Sequence, residues 1–497
     1  MTHSEVGRSG RRTWFPVLLG GLLTACDIES SPRAATPPAS APEAPAAHPV
    51  EPPRPPPAPA LRRRMPARPE RTAELQALAE RLGAPGASVE DPCVAPLGNG
   101  CARTALAPFF TSLDELASGT ATRPVVIEAF GNSLIAGDRI VDVLRDDLVT
   151  AFGSAGRGVL LVDRMAPYGG RGRTSASSSG WQPRTLGELR APPHAFGITG
   201  VYHVATRAKA RSRFKLDGEP RGALWWLDVP GAGALSISSG GEVLARTEPT
   251  GSGASRAIHF ELPEGAQTLD VVAERQGAVV QGVVLQHARP GIVLDTLGVP
   301  SSDAGLYARM DGATLTSQLA ERSPRLLVFF LGGNESKRIE WKRLDMEKLR
   351  TDLRTLLRRA REAAPGSACL LVGPMDAVKG PGAKAQALSQ RPSLEAVNAA
   401  EREVALAEGC AFFDFYAAMG GAGALARLHA SGYMHDDLVH PRGAGLDVLG
   451  HLVTDALLRA YVETPPPARG VAALMPMPPG AGAAPAGASE PSAEATP

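Results

Sequence analysis

The sequence lacks an excess of charge of either sign. Its 497 residues include 52 lysines and arginines against 51 aspartates and glutamates, which gives a formal net charge of +1. Proteins that bind a nucleic-acid backbone usually carry a basic excess, so nucleic acid is not expected as a partner. The sequence also contains no internal repeat.

A long hydrophobic run is also lacking at the N-terminus. The apolar stretch from Trp14 to Ala25 has about 12 residues, whereas a membrane-spanning helix needs about 20. Its positive flank consists of Arg8, Arg11 and Arg12. This pattern predicts an export signal over residues 1–26. The stretch ends in Leu23-Thr24-Ala25-Cys26, which resembles a bacterial lipobox, and the resemblance implies lipidation of Cys26 and anchoring in the cell envelope. A chance match after an ordinary signal peptide is the alternative, and Arg11-Arg12 is a weak twin-arginine signal.

Proline is in excess only at the two ends. Of the 45 prolines, 14 lie in residues 31–70 and nine in residues 464–497. Because proline fixes φ and removes a backbone donor, residues 27–70 are predicted to form a disordered, extended linker, and 464–497 a disordered tail. Between them remains a globular body long enough to bury a large core.

Cysteine is scarce, with five in the chain. Cys93 and Cys101 bracket a short loop that can close as a disulfide in an oxidising compartment, and a zinc site there lacks further ligands. Cys369 and Cys410 each open an apolar run and are predicted to be buried thiols, with a disulfide between them as the lesser alternative. No metal or organic cofactor is expected.

The body alternates short apolar runs with amphipathic stretches. The predicted strands are Val125–Phe130, Val159–Val162, Leu326–Leu331, Cys369–Val372 and Ala411–Phe415, and the predicted helices are 138–151, 344–363, 393–407 and 442–461. This alternation predicts a three-layer α/β/α domain on a parallel sheet, formed by residues 105–171 and 291–463. Residues 71–104 form a lead-in with a predicted helix over 70–83 that stops at Gly83.

Residues 172–290 show few helical patterns, unlike the rest of the body. Alternating runs with Gly and Ser between them recur at the spacing of an all-β sandwich, so this segment is predicted to be a sandwich inserted into the α/β body. Trp225 and Trp226 fall on opposite faces of one of its strands, so at most one of them can line a sugar groove.

Three short motifs follow predicted strand ends, where open α/β sheets place their sites. The first contains Ser133 in Gly131-Asn132-Ser133, the second Asn334 in Gly332-Gly333-Asn334-Glu335, and the third is His435-Asp436-Asp437-Leu438-Val439-His440. Each is weak alone. The first motif also fits an ordinary helix N-cap, and the second an ordinary turn. The third also fits a solvated loop, or a metal site built on His435, Asp436 and His440.

Together the three motifs resemble the SGNH (GDSL-type) hydrolase family over roughly residues 122–462. The resemblance implies a catalytic triad of Ser133, Asp437 and His440. It also implies an oxyanion hole formed by the amides of Ser133 and Gly298 and the side chain of Asn334. Two positions depart from the family pattern, since Asn132 and Glu335 both replace aspartate, and both are expected to pin loops. The insertion is most similar to that of the peptidoglycan O-acetylesterase branch, which carries a carbohydrate-binding-module-like sandwich.

The resemblance implies a function. The expected protein is a lipid-anchored, monomeric serine esterase that hydrolyses O-acetyl or other acyl esters on a cell-wall glycan or another polysaccharide. An O-acyltransferase or a lipase with the same triad is one alternative. A non-catalytic envelope protein that binds glycan through the sandwich is the other.

Overall fold

The computed structural model describes residues 63–67, 71–97, 100–137, 139–165, 175–188, 193–379 and 388–465. The predicted signal segment with Cys26, most of the predicted linker and all but the first two residues of the predicted tail lie outside these ranges. Within them, no helix is both long enough and apolar enough to cross a bilayer.

The elements alternate as the sequence predicts. The helices are α1 (Ala73–Leu82), α2 (Ala107–Ala117), α3 (Ser133–Ala136), α4 (Arg139–Phe152), α5 (Ala304–Tyr307), α6 (Gly312–Arg322), α7 (Gly333–Glu340), α8 (Met346–Ala363), α9 (Leu394–Ala407), α10 (Phe415–Ala418), α11 (Ala424–Ala430) and α12 (Ala444–Glu463). The strands are β1 (Val89–Glu90), β2 (Cys93–Leu97), β3 (Gly100–Thr104), β4 (Pro124–Gly131), β5 (Gly156–Leu160), β6 (Ser177–Ser179), β7 (Trp181–Thr185), β8 (Val201–Ala205), β9 (Arg211–Lys215), β10 (Arg221–Leu227), β11 (Leu235–Ser239), β12 (Glu242–Arg246), β13 (Ser255–Glu261), β14 (Thr268–Ala273), β15 (Val279–Gln286), β16 (Gly291–Gly298), β17 (Leu326–Phe330), β18 (Ala368–Val372) and β19 (Ala411–Phe413).

The α/β body is built on a six-stranded sheet of order β1-β19-β18-β17-β4-β16. All its pairings are parallel except that of the edge strand β1 with β19. One face packs on α2, α4 and α12, and the other on α6, α8 and α9. The central strands β17 and β18 are apolar throughout, and β4 is apolar except for the buried Glu128, because both faces of the sheet are covered. The predicted three-layer α/β architecture is confirmed.

The insertion consists of two antiparallel sheets, β13-β10-β15-β8-β7 and β12-β11-β14-β9-β6, with a separate core between them. The run Val159–Val162 was expected to be the second strand of the parallel sheet, and this is wrong. Its strand β5 pairs antiparallel with β15 of the sandwich instead. Leu160 packs into the sandwich core and Val159 into the core shared with the α/β body. The run is apolar because β5 lies between two cores.

Trp225 and Trp226 point in opposite directions, as expected, but neither lines a groove. Trp226 lies in the sandwich core and Trp225 in the core shared with the α/β body, and both are buried. The indole Nε1 of Trp225 donates to Glu321 Oε2 of α6 at 2.8 Å. Trp225 therefore joins the two parts of the chain, and neither buried indole offers a surface for a sugar.

A buried charged network lies at the junction of the sandwich and the body. Asp295 on β16 accepts hydrogen bonds from the Val159 amide at 2.8 Å and from the Arg322 guanidinium at 2.7–2.8 Å. Arg322 also donates to Gln286 at the end of β15. Gly158 has φ +78°, and a Cβ there would lie 1.8 Å from Asp295 Oδ1, so only glycine admits the carboxylate. Burial, with the charge of Asp295, raises the pKa of the adjacent Glu128 well above its usual range.

Both pairs of non-lipobox cysteines are disulfide-bonded. The Cys93–Cys101 bridge closes the β2–β3 hairpin. Cys369 and Cys410, expected as buried thiols, are also joined, with Cα atoms 4.7 Å apart. The register places Leu370 opposite Ala411 on β18 and β19, so the preceding cysteines are opposite each other as well. An apolar run predicts that a cysteine is buried, but it does not predict which residue lies opposite on the next strand. The sequence therefore favoured two buried thiols over the disulfide.

The predicted disordered linker, 27–70, extends too far towards the body. Arg63 is almost fully buried and donates to both oxygens of Asp114 at 2.7–2.8 Å. It also donates to the carbonyls of Tyr461 and Thr464 at 3.2 and 2.6 Å. Arg63, inside the predicted linker, is therefore part of the folded body. The helix α1 then packs on the body through Leu78 and Leu82 and ends at Gly83 in the left-handed region, as predicted.

Two buried carboxyl groups lie beneath the carboxyl end of the sheet, where α7 begins. Glu335 accepts hydrogen bonds from the amides of Gly332 and Ala304, both at 2.9 Å. Glu401 of α9 is fully buried, and a Cβ on Gly332 would lie 2.7 Å from its Oε2. Burial raises the pKa of both groups, and the charge of Glu335 adds to the shift at Glu401. Glu401 therefore favours the neutral form in the folded state.

Replacing Glu401 tests this protonation. Because its folded pKa lies above its unfolded value of about 4.3, the protein takes up a proton on folding, and the free energy of unfolding falls as the pH rises above about 4.3. The slope approaches about 1.4 kcal/mol per pH unit for one proton. Urea unfolding of Glu401→Gln at pH 5 and pH 8 should show a flatter dependence than the natural chain. Glu403→Gln, an exposed position on the same helix, is the control, and parallel curves for Glu401→Gln and the natural chain would refute the assignment.

Candidate active site

Ser133 stands at the turn between strand β4 and the short helix α3, at the carboxyl edge of the parallel sheet. Asn132 caps this helix, since its Oδ1 accepts a hydrogen bond from the Leu134 amide at 2.9 Å. A Cβ on Gly131 would lie 2.9 Å from both the Cβ and the carbonyl oxygen of Phe330. The glycine lets β4 and β17 approach closely just before the serine.

Ser133, His440 and Asp437 form a continuous hydrogen-bonded triad. Ser133 Oγ lies 2.8 Å from His440 Nε2, and His440 Nδ1 lies 2.6 Å from Asp437 Oδ2. The serine and the histidine are 307 residues apart in sequence. This geometry lets the imidazole take the serine proton while the carboxylate holds its tautomer. The three residues predicted from separate motifs thus meet at one point.

The turn that carries the histidine is held by the carboxylate of Asp437. Asp437 Oδ1 accepts hydrogen bonds from the amides of Val439 and His440 at 2.9 and 3.0 Å. Leu438 between them has φ +53°, a left-handed conformation that a buried leucine rarely adopts. Burial would raise the pKa of Asp437, but the hydrogen bonds from His440 and the two amides outweigh it and lower the pKa. The carboxylate therefore stays charged beside the imidazole.

Of the predicted oxyanion donors Asn334 and Gly298, only Asn334 lines the pocket in front of Ser133. Asn334, at the start of α7, lines the pocket in front of Ser133, and its Nδ2 donates to the Ser302 carbonyl at 2.7 Å. Gly298 ends β16 beside Gly131 and does not line this pocket. A Cβ on Gly298 would lie 2.6 Å from the Ala136 amide nitrogen, so this glycine makes room for α3. Its role as a donor stays a prediction.

The two departures from the family pattern both pin loops. Asn132 caps the helix that begins with the nucleophile, and Glu335 ties Gly332 to Ala304 at the start of α5. Asparagine retains the acceptor oxygen that capping requires, and glutamate reaches two amides at once. The substitutions therefore leave intact the loops that carry Ser133 and Asn334.

Ser302 and Tyr307 belong to the site, although no sequence pattern indicates them. The Gly131 carbonyl accepts hydrogen bonds from the Val299 amide at 2.8 Å and the Ser302 hydroxyl at 2.9 Å. The buried Tyr307 hydroxyl lies 2.6 Å from the same carbonyl and 2.7 Å from the Leu297 carbonyl. Burial raises the pKa of Tyr307. These contacts fix the strand end two residues before the nucleophile.

The pocket in front of Ser133 is small. The described residues enclose about 60 Å³ there. Its walls are Asn132, Leu134, Leu331, Gly333, Asn334, Lys337, Met375, Asp376, Ala377, Arg391, Leu425, Leu438, Val439 and His440. A larger groove of about 870 Å³ lies between α1, α4 and α12, and no triad residue lines it.

The metal reading of the third motif is not supported by its geometry. The side chain of His435 is exposed, and its contact with His440 is made by the backbone, with the His435 amide donating to the His440 carbonyl at 2.9 Å. Within the described ranges, no three His, Cys, Asp or Glu side chains are grouped as metal ligands.

Comparison with known proteins agrees with this geometry. Residues 265–448 match the family model of the GDSL-like lipase/acylhydrolase family. The match includes Asn334, Asp437 and His440, and it begins after Ser133, within the last strands of the sandwich. No functionally curated protein matches the sequence.

Among solved structures, a peptidoglycan O-acetylesterase superposes with a TM-score of 0.59 at 19% identity, over 72% of this chain and 97% of that chain. A protein assigned as a GDSL-like lipase from Parabacteroides merdae covers 34% of this chain and 73% of its own at 20% identity, with a TM-score of 0.25. The C-terminal CBM6 module of LamC from Zobellia galactanivorans covers 22% and 92% at 10% identity, with a TM-score of 0.18. The last two superpositions are too loose to support an argument. The first shows the fold alone. The family match shows that residues 265–448 belong to a GDSL-like lipase/acylhydrolase domain, and this domain supports carboxylic ester hydrolysis as the chemistry of the chain.

Proposed function

We propose that the protein is a lipid-anchored serine esterase of the bacterial cell envelope that removes O-acetyl groups from a cell-wall glycan or another polysaccharide. The observation that carries the chemistry is the Ser133–His440–Asp437 triad, which is assembled at hydrogen-bonding distances. The name of the superposed O-acetylesterase suggests the substrate class.

The triad performs ester cleavage in two steps. His440 Nε2 takes the proton of Ser133 Oγ as the oxygen attacks the ester carbonyl, and the same proton passes to the departing sugar hydroxyl. The serine then carries the acyl group until a water attacks it while His440 takes the proton of the water. The bond from the acyl carbon to Ser133 Oγ then breaks, His440 returns its proton to Oγ, and the released acid loses its own proton to solvent as a carboxylate. The Asn334 amide has two N–H groups, so one can keep its bond to Ser302 while the other meets the oxyanion.

Single replacements within the triad should remove turnover. Ser133→Ala and His440→Ala should each lower kcat on 4-nitrophenyl acetate by about 10⁴–10⁶, and the double variant should be little worse, because the pair acts as a unit. Asn334→Ala should cost about 10²–10³, since it removes one oxyanion donor. His435→Ala is the control and should retain activity, and so should the natural enzyme in a chelator. A loss with His435→Ala equal to that with His440→Ala would refute the triad.

Acetate release tests the substrate class. The purified full chain should release acetate from O-acetylated peptidoglycan, and Ser133→Ala should not. Transfer of the acetyl group to an added glycan acceptor, without net release of acetate, would show an acyltransferase instead.

The anchor depends on Cys26. Cys26→Ser should leave the protein either soluble in the envelope fraction or as an unprocessed precursor, because the thiol that receives the lipid is gone. Membrane fractionation and the mass of the mature N-terminus check this. Normal processing and membrane retention of the variant would contradict the proposed lipid anchor.

A further inference from the structure

The helix that carries Asn334 also carries a pair of cations and an exposed indole. Trp341, at the carboxyl end of α7, is 53% exposed. Lys337 Nζ lies 4.8 Å from the centroid of its ring, and the Arg343 guanidinium carbon lies 5.1 Å from it. Both distances are typical of cation–π contacts, so the indole holds the two charged groups in place.

This cluster is continuous with the catalytic pocket. Lys337 lines the pocket together with Ser133 and Asn334. The spacing from Asn334 to Lys337 and on to Trp341 is three and then four residues, which places all three on one side of α7. At 1.5 Å per residue, Trp341 lies about 10 Å along the helix axis from Asn334. A polymer that presents an ester to Ser133 can therefore reach the indole.

The two cations of the cluster have no ion-pair partner among the described residues. Lys337 and Arg343 form no salt bridge there, whereas the neighbouring Arg338 is paired with Asp303. Glu340 of the same helix accepts a hydrogen bond from the Ser393 amide instead. Within the described ranges, the cluster therefore presents two cations without a paired carboxylate.

The pocket wall next to the cluster carries a further buried cation. The guanidinium of Arg391 donates to the Gly333 and Val378 carbonyls and to the Ser336 hydroxyl. The carboxylates of Glu340 and Asp376 act on this guanidinium through their charge. Negative charge brought by a ligand would therefore be taken up by Lys337 and Arg343 rather than by Arg391.

We propose that Lys337, Trp341 and Arg343 form a subsite, the α7 subsite, that binds a carboxylate-bearing sugar of the glycan whose ester enters the catalytic pocket. The two cations pair with the carboxylate, and the exposed part of the indole packs on the sugar ring. This inference rests on the proposed glycan esterase function and narrows its substrate to an acidic glycan.

Binding to an inert variant tests the α7 subsite independently of turnover. The full chain with Ser133→Ala should bind hexagalacturonate, which carries a carboxylate on every sugar, about tenfold more tightly than the neutral xylohexaose in calorimetry. Adding Lys337→Gln, Arg343→Gln or Trp341→Ala should each weaken hexagalacturonate binding about tenfold, the size of one charge-assisted contact. Raising the salt concentration to about 0.5 M should weaken it as well, since exposed charges are screened.

Lys215→Gln on the sandwich strand β9 is the matched control and should leave both affinities unchanged. Equal affinity for the two oligosaccharides, binding of neither, or an equal loss with Lys215→Gln would overturn the α7 subsite. These outcomes are separate from the acetate-release assay, which succeeds or fails on the triad. An enzyme that deacetylates glycan but does not prefer the acidic oligosaccharide retains the proposed function and loses this inference.

Discussion

The carbonyl of Gly131 is the point on which the site depends. The Val299 amide and the hydroxyls of Ser302 and Tyr307 converge on this oxygen, two residues before the nucleophile. They come from the segment that follows β16, so the strand end that presents Ser133 is fixed by residues from beyond the insertion. The Ser302 carbonyl in turn accepts from Asn334, which extends the same hydrogen-bonded unit to the oxyanion side of the pocket. Ser133 and Asn334 are therefore positioned together.

The inserted sandwich is part of this framework. Its strand β5 is buried on both sides, Trp225 reaches α6, and Asp295 and Arg322 bind β5 and β15 through buried hydrogen bonds. Arg322 and Asp295 each have their partner and further hydrogen bonds, which is the condition under which buried charges are tolerated. The sandwich and the α/β body therefore share an apolar core and a buried charged network.

The sequence predicts the elements and the triad but not their neighbours. Periodicity locates β4, β17, β18 and β19 because burial makes each of these runs apolar, but it does not indicate the two edge strands β1 and β16. The motifs name Ser133, Asp437 and His440 because their chemistry restricts residue type. The same periodicity misassigns Val159–Val162, since a strand between two cores is as apolar as one inside a parallel sheet. It cannot show that Cys369 is opposite Cys410 or that Tyr307 reaches Gly131, because each contact depends on strand order. Arg63 looked like part of a linker because a single buried arginine has no periodic signature.

The contacts of Arg63 bring the beginning and the end of the folded body to one corner. Its guanidinium bonds to the carbonyls of Tyr461 and Thr464, at the last turn of α12. Chain ends that lie side by side can be joined by a short connection without disturbing what lies between them. A short connection could therefore join the two ends of the described ranges. New termini could then be opened at an exposed turn such as Gly240–Gly241 in the sandwich, with the order of strands around Ser133 unchanged.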